Sequence, residues 1–152
     1  MSFGNPPADD VGRLITVEHL SDAQTVDVHR LVQQQWWGRQ RTLDQVRTMV
    51  AHTSLIVALA EHADGRIIGF CRALTDFAFR ATIYDVMVDA AWQRQGVGRR
   101  LLETLCAHPR LADVNFLYLA CEPDLFPFYE QWGFAPYDGR VQWMVKVQHP
   151  EA

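Results

Sequence analysis

Apolar residues fall along this chain in two kinds of pattern, short unbroken runs and runs repeating every three or four positions. Leu14 to Val17 is a brief apolar run and reads as a strand. Ser21 and Asp22 offer caps for a helix whose apolar face carries Val26, Val28, Leu31 and Val32. Gly38 breaks that helix after Trp36 and Trp37. Thr42 then caps a second helix, with Leu43, Val46, Met49 and Val50 on one side. Leu55 to Ala60 is unbroken apolar sequence and predicts a buried strand. His62 to Arg66 predicts a hairpin turn centred on Asp64-Gly65, with Ile67 to Leu74 returning. Ala81 to Val88 is a further strand, followed by a helix over Gly96 to Ala107 with Leu101, Leu102 and Leu105 at helical spacing. Asn115 to Cys121 predicts a strand and Asp124 to Trp132 a short helix stopped by Gly133. Phe134-Ala135 and then Val141 to Val147 close the pattern as strands.

The predicted order is β-α-α-β-β-β-α-β-α-β-β. The hairpin argues for antiparallel pairing, and the strand-helix-strand unit from Ala81 to Cys121 for a parallel crossover. The expected fold class is α/β: a mixed, mostly antiparallel central sheet of six to seven strands with helices on both faces. Residues 1–12 read as a loose tail rich in Pro6, Pro7, Asp9 and Asp10, and 13–152 as one domain. At 152 residues, 49% of them hydrophobic, the chain has ample material for one core.

Charge and cysteine content narrow the function classes. A formal net charge of -4 gives no general attraction to nucleic acid or to an anionic membrane, and it favours a cationic ligand over an anionic one by long-range steering. Arg94, Arg99 and Arg100 nonetheless form a basic stretch, which suggests a local anion site. Cys71, Cys106 and Cys121 are odd in number and lie among apolar neighbours, as expected of free buried thiols in a reducing compartment. Cys106 and His108 lack a second pair at ligand spacing, so no metal site is expected. No signal-peptide pattern and no run long enough to span a bilayer is visible, so a cytoplasmic protein is expected.

The chemistry concentrates in Val86-Met87-Val88-Asp89-Ala90-Ala91-Trp92-Gln93-Arg94-Gln95-Gly96-Val97-Gly98-Arg99-Arg100. A strand ends, a loop follows, and a glycine-bearing turn opens a helix. The first N–H groups of a helix lack internal partners and sit at its positive end, so such a turn suits phosphate oxygens. Gly96 and Gly98 allow close approach of a ligand to the backbone. The segment is not a P-loop, since no Lys-Ser or Lys-Thr follows, and not a dinucleotide turn, since position 101 is Leu.

Gln93, Gly96 and Gly98 match the pattern [QR]-x-x-G-x-[GA], and here the chain resembles the GCN5-related N-acetyltransferases. The likeness extends to Phe128-Tyr129-Glu130-Gln131-Trp132-Gly133-Phe134, similar to the family's FYxxxGF element. Upstream, Gly69-Phe70-Cys71-Arg72 with Thr75-Asp76, and Asp85-Val86-Met87-Val88, resemble a bacterial branch with GFxR..TD and DVxV signatures. The resemblance implies an acetyl-CoA-dependent transfer to a primary amine by direct attack in a ternary complex, with acetyl-CoA as cosubstrate and no metal. It implies that backbone groups of Val86, Met87 and Val88 pair with the pantetheine amides as an added strand. It further implies that the turn residues Gln93, Arg94, Gln95, Gly96, Val97, Gly98 and Arg99, with Arg100 adding charge, hold the pyrophosphate. Tyr129 takes the place of the general acid for the departing thiolate. Relatives carry Asn seven residues before that tyrosine, where this chain has Glu122. Self-association through terminal strands is common in the family, so a homodimer is an open expectation.

An amine with pKa near 10 is protonated at neutral pH and must lose a proton before it attacks. Asp85, Glu122 and Asp76 are the candidate acceptors of that proton, directly or through water. Asp85 has an equal alternative as a structural carboxylate paired with Arg72 or a helix end. Strand alternation predicts Tyr84 on the face opposite Asp85. Trp36, Trp37, Phe77, Phe79 and Trp143 are candidates for an aromatic acceptor pocket, against the plainer reading as core. The acceptor, a small molecule or a peptide amine, is left open. So is a second function class, a non-catalytic acyl-CoA-binding module on the same fold.

Overall fold

The structure, a computed structural model, describes residues 8–149. It divides into two compact units, residues 1–120 and 121–152, which are described separately. The predicted tail falls outside the described residues for positions 1–7, while Ala8–Arg13 forms a 3-10 turn.

In the first unit a five-stranded sheet runs in the order β1-β2-β3-β4-β5. The strands are β1 (Ile15–Val17), β2 (Leu55–Ala60), β3 (Ile67–Thr75), β4 (Arg80–Val88) and β5 (Phe116–Tyr118). The first four pair antiparallel and β5 joins β4 in parallel. The expected six to seven strands are therefore five. Phe134-Ala135 and Val141 to Val147, placed in strands by their own pattern, are not among the strands of the sheet.

Helix α1 (Asp22–Gln33) and helix α2 (Leu43–Ala51) each begin with a complete capping box, Ser21 with Gln24 and Thr42 with Gln45. Their apolar residues Val28, Leu31, Val32 and Val46 bury against Ile56, Ala58, Ala60, Ile67, Phe70 and Met87 of the sheet. Helix α3 (Val97–Cys106) packs on β2, β3 and β4. Gly69 lets α3 come this close: a Cβ there would lie 2.8 Å from Val97 Cγ1.

The hairpin turn sits one residue earlier than predicted. Gly65 N–H donates to the His62 carbonyl (2.8 Å), so Ala63-Asp64 are the central pair and Gly65 takes the fourth position. Close approach rather than unusual φ requires that glycine, since a Cβ would meet His62 N at 2.9 Å. Gln24 ties the turn to α1, donating through Nε2 to the Ala63 and Gly65 carbonyls (3.0 and 3.1 Å).

The second unit holds a 3-10 turn at Pro123–Leu125 and the short helix α4 (Phe126–Glu130). The helix ends at Glu130, two residues before the predicted Trp132, and the turn after it closes at Gly133 with a positive φ of 83°. Beyond it Val141, Trp143, Met144, Val145 and Val147 are exposed.

Candidate functional site

Asp89 closes β4 and anchors the loop that follows. It is 6% exposed. Its Oδ1 accepts from Ala91 N–H (2.9 Å), capping a 3-10 turn over Ala90–Trp92. Its Oδ2 takes Arg30 Nη1 of α1, with Gln34 Nε2 at 3.5 Å and Arg66 Nη2 at 3.7 Å. Burial pushes the Asp89 carboxyl pKa up. The Ala91 N–H and the Arg30 guanidinium together outweigh that, and the net result lies below the usual carboxylate value.

The chain then turns through two residues with positive φ, Arg94 (61°) and Gly96 (89°). Gly96 is the N-cap of α3 and, unlike Ser21 and Thr42, supplies no side-chain acceptor. The first bond within α3 runs from Arg100 N–H to the Gly96 carbonyl (3.0 Å), so the N–H groups of Val97 and Gly98 have no acceptor inside the helix. Nothing lies within 4 Å of the position of a Cβ on Gly96. An uncapped, open, positively polarised helix end fits a diphosphate group, and the residues present match that requirement.

The arginines of the turn divide. Arg99 pairs with Glu103 along the helix (3.4 Å) and Arg94 is exposed. Arg100 is turned away from the helix end, with Nη1 and Nη2 donated to the Val11 and Leu14 carbonyls. Arg100 thereby docks the segment before β1, while its charge stays on the first turns of α3. Gln93 is exposed, and Gln95 donates through Nε2 to the Ala91 carbonyl (3.2 Å).

Strand β5 meets β4 only at Arg80, Ala81 and Thr82. Among the described residues, no strand pairs with the outer edge of β4 from Ile83 to Val88. Val86, Met87 and Val88 lie on that open edge, which suits an added extended chain. A bulge interrupts the other edge. Phe70 stands opposite Met87 but Arg72 stands opposite Tyr84, which places Asp85 and Val86 against Cys71 alone. Asp85 has φ of 54°, rare for a residue with a side chain. The bulge corrects the expected alternation: Tyr84 and Asp85 both reach Arg72, whose guanidinium lies over the Tyr84 ring (4.9 Å) while its Nε donates to Asp85 Oδ2 (2.6 Å). Arg41 Nη1 donates to the other oxygen, Oδ1 (3.1 Å).

In the second unit Tyr129 is the buried residue of α4. Its ring meets Phe128 edge-on at 5.0 Å and Phe134 at 6.3 Å. Glu122 is exposed and makes no capping bond to the turn it precedes.

The model of the acetyltransferase (GNAT) family matches residues 16–134. The chain belongs to that family. It is 32% identical over 121 residues to the "Uncharacterized N-acetyltransferase ycf52" of Porphyra purpurea, covering 76% of this chain and 69% of that one. It is 30% identical over 122 residues to the "Histone acetyltransferase TAP1" of Glycine max, covering 74% of this chain and about half, 52%, of the plant protein. A crystal structure of a GNAT family protein from Xanthomonas campestris pv. campestris superposes with a TM-score of 0.73 at 25% identity, over 88% of this chain and 93% of that one. The protein is thus an acyltransferase of the N-acetyltransferase type.

Within this acetyltransferase the other singled-out residues take varied places. Asp76 Oδ1 accepts from Ala78, Phe79 and Arg80 N–H (2.9, 2.8 and 3.1 Å), and these bonds hold its carboxyl below the usual value. Trp37 packs against the core while Trp36, Phe79 and Trp143 are exposed. Phe77 lies under the Arg110 guanidinium at 4.0 Å. His108 pairs with Glu18 (3.0 Å) and His52 lies at the end of α2. Burial pushes the Cys71, Cys106 and Cys121 thiols upward, which makes each a poor nucleophile. Among the described residues no cluster of three ligating side chains suits a metal, and no helix is long and apolar enough to cross a membrane. Sequence reading missed Arg30, Arg41 and Asp89. Only Asp89 carried a local signal, an acidic residue at a strand end ahead of a turn.

Proposed function

We propose that the protein moves an acetyl group from acetyl-CoA to a primary amine by direct attack, without an acyl-enzyme. The observation that carries this reading is the uncapped start of α3, with the Val97 and Gly98 N–H groups lacking helix acceptors, set at the end of a strand whose edge is open from Ile83 to Val88. The turn from Gln93 to Arg99 would bind the diphosphate of the coenzyme, and Val86 to Val88 its extended amide arm. The coenzyme supplies a thioester, whose carbonyl carbon is open to an amine and whose thiolate can depart.

Tyr129 is assigned to hold the proton that the departing sulfur takes. Its edge-on contacts with Phe128 and Phe134 limit the ring's freedom. The upward-shifted thiols favour direct transfer over a cysteine-bound intermediate. Proton removal from the amine falls to water or to Glu122. Asp85 has both oxygens occupied by guanidinium donors, and Asp76 has its pKa lowered by three N–H groups, which weakens Asp76 as a base. Asp85 acts instead by positioning Arg41 and Arg72.

Titration calorimetry with acetyl-CoA tests the reading, comparing the protein with Gly96→Trp. The indole would enter the open space in front of the helix end. Tight binding that is lost in the variant supports the assignment. Absence of binding to the unaltered protein refutes it.

A further inference from the structure

The sheet face that packs on α1 and α2 carries an apolar core, and a charged cluster lies at the β4 bulge beside it. Arg72 stands opposite Ile56 on β2 and Tyr84 on β4, so its side chain emerges on that face. Arg41 reaches the same place from the loop between α1 and α2. Each guanidinium lies over an aromatic ring, Arg41 over Trp37 (4.8 Å) and Arg72 over Tyr84 (4.9 Å). Asp85 sits between them, bonded to Arg72 Nε (2.6 Å) and Arg41 Nη1 (3.1 Å). The Gln33 amide fixes the Arg41 backbone by donating to its carbonyl (3.0 Å).

Two guanidinium groups against one carboxylate leave one positive charge in excess. The side chains are 12% exposed for Arg72, 37% for Arg41 and 6% for Asp85, so the shared carboxylate is shut away while part of each cation is accessible. A guanidinium carries five N–H donors in a planar fork. Arg72 commits Nε to the carboxylate. Arg41 commits Nη1, which also lies 4.0 Å from Met49 Sδ. The remaining donors of both have no hydrogen-bond partner among the described residues. The rings and the carboxylate hold two like charges side by side in fixed orientations, which is the arrangement that receives an oxyanion in a planar fork. Asp85 makes both contacts from a backbone with positive φ, and strain of this kind gathers at functional sites.

The cluster lies at the bulge of β4, immediately before Val86 to Val88 on the open edge. We infer that the acceptor is an amine that also carries a carboxylate, of the amino-acid class, with that carboxylate bound by Arg41 and Arg72 and its amine directed to the bulge. This rests on the acetyltransfer reading above. The net charge of -4 does not oppose it, because fields beyond a screening length of about 8 Å at physiological ionic strength fade while contact charges do not.

The test measures kcat/KM with acetyl-CoA for the standard amino acids, each beside its methyl ester and its decarboxylated amine. The expected result is at least a tenfold preference for the free carboxylate in the best matched set. That preference should collapse toward one in Arg41→Gln and be partly retained in Arg41→Lys. Arg47→Gln, in an exposed ion pair with Asp22 and Asp44, should leave it unchanged. Esters or decarboxylated amines turned over as fast as the amino acids, an undiminished preference in Arg41→Gln, or no turnover of any amino acid by protein that binds acetyl-CoA would each overturn the inference. Failure to bind acetyl-CoA at all would instead overturn the reading beneath it.

Discussion

Gly69→Ala adds one methyl group at the place where β3 meets α3. An alanine Cβ would lie 2.8 Å from Val97 Cγ1 and 3.3 Å from Leu101 Cδ1, against an ordinary carbon–carbon contact of about 3.5–4.0 Å. The overlap must be relieved by roughly 1 Å of movement, and Val97 is poorly able to provide it. Its branched side chain has one favoured rotamer in a helix, and it is 1% exposed. Overpacking of this size costs about 1–3 kcal/mol. At this chain length the melting temperature should then fall by about 2–12 °C. Val97 is also the first residue of α3 and carries one of the N–H groups assigned to the diphosphate, so the same displacement should weaken acetyl-CoA binding several-fold. A double-mutant cycle isolates the contact, since Val97→Ala removes the methyl that collides. Gly69→Ala should cost less in the Val97→Ala background, with a coupling of about 0.5–3 kcal/mol. Denaturant midpoints on the four proteins measure the coupling, and calorimetry measures affinity. Full additivity, or a Gly69→Ala protein as stable as the parent, would refute the claim that this glycine sets the approach of α3.

Asp89→Asn should lower stability at pH 7 by about 1–3 kcal/mol, the cost of losing a buried charged acceptor. The folded Asp89 carboxyl titrates below its unfolded value of about 3.9, so its contribution is full above that pH and lost as pH falls through the folded pKa. The gap between parent and variant in urea midpoint should therefore close below about pH 4, and a gap independent of pH would contradict the network. Asp85→Asn should raise the acceptor KM ten- to a hundredfold, as loss of a charged hydrogen bond worth about 1.5–3 kcal/mol implies, while the pH profile of kcat keeps its shape. Loss of the acidic limb of that profile would instead make Asp85 the base. Cys71 should resist thiol reagents in the folded protein and react only after denaturation, because burial pushes its thiol far upward. Labelling of Cys71 under native conditions would show that the sheet opens there.

The strands that bury on both faces were legible because their pattern leaves little choice. Leu55–Ala60 is apolar throughout, and every residue of β2 is buried. The two capping boxes likewise read directly from Ser21 with Gln24 and Thr42 with Gln45. Val141 to Val147 shows the limit of the same reasoning. Its β-branched and aromatic residues are suited to a strand, but β preference expresses packing against a neighbour more than any property of the segment itself. Among the described residues the segment pairs with no strand, and Trp143 and Met144 are 73% and 96% exposed. The displaced hairpin turn has a related cause. Asp-Gly marks the sharpest two-residue turns, but here the loop is longer and a register shift at Leu59/Ala60 absorbs the difference.

The backbone of the turn proposed to hold the diphosphate was legible because its parts are contiguous: a strand end, glycine at a positive φ and a helix start. The bonds of Arg100 to the Val11 and Leu14 carbonyls were not legible, because adjacency cannot say which segment a helix residue meets. The Arg41–Asp85–Arg72 cluster was half legible, since Arg72 was a named partner for Asp85 while Arg41 joins it across 44 positions. That second arginine changes the chemistry. One arginine with one aspartate is a neutral pair, and a neutral pair in a strand is a structural feature. Two arginines sharing the same carboxylate carry a net charge, and a charge at a partly closed site calls for a counter-ion. The shared carboxylate sits at the bulge, a departure from strand alternation invisible in the sequence, and the second arginine turns a structural pair into a candidate recognition site.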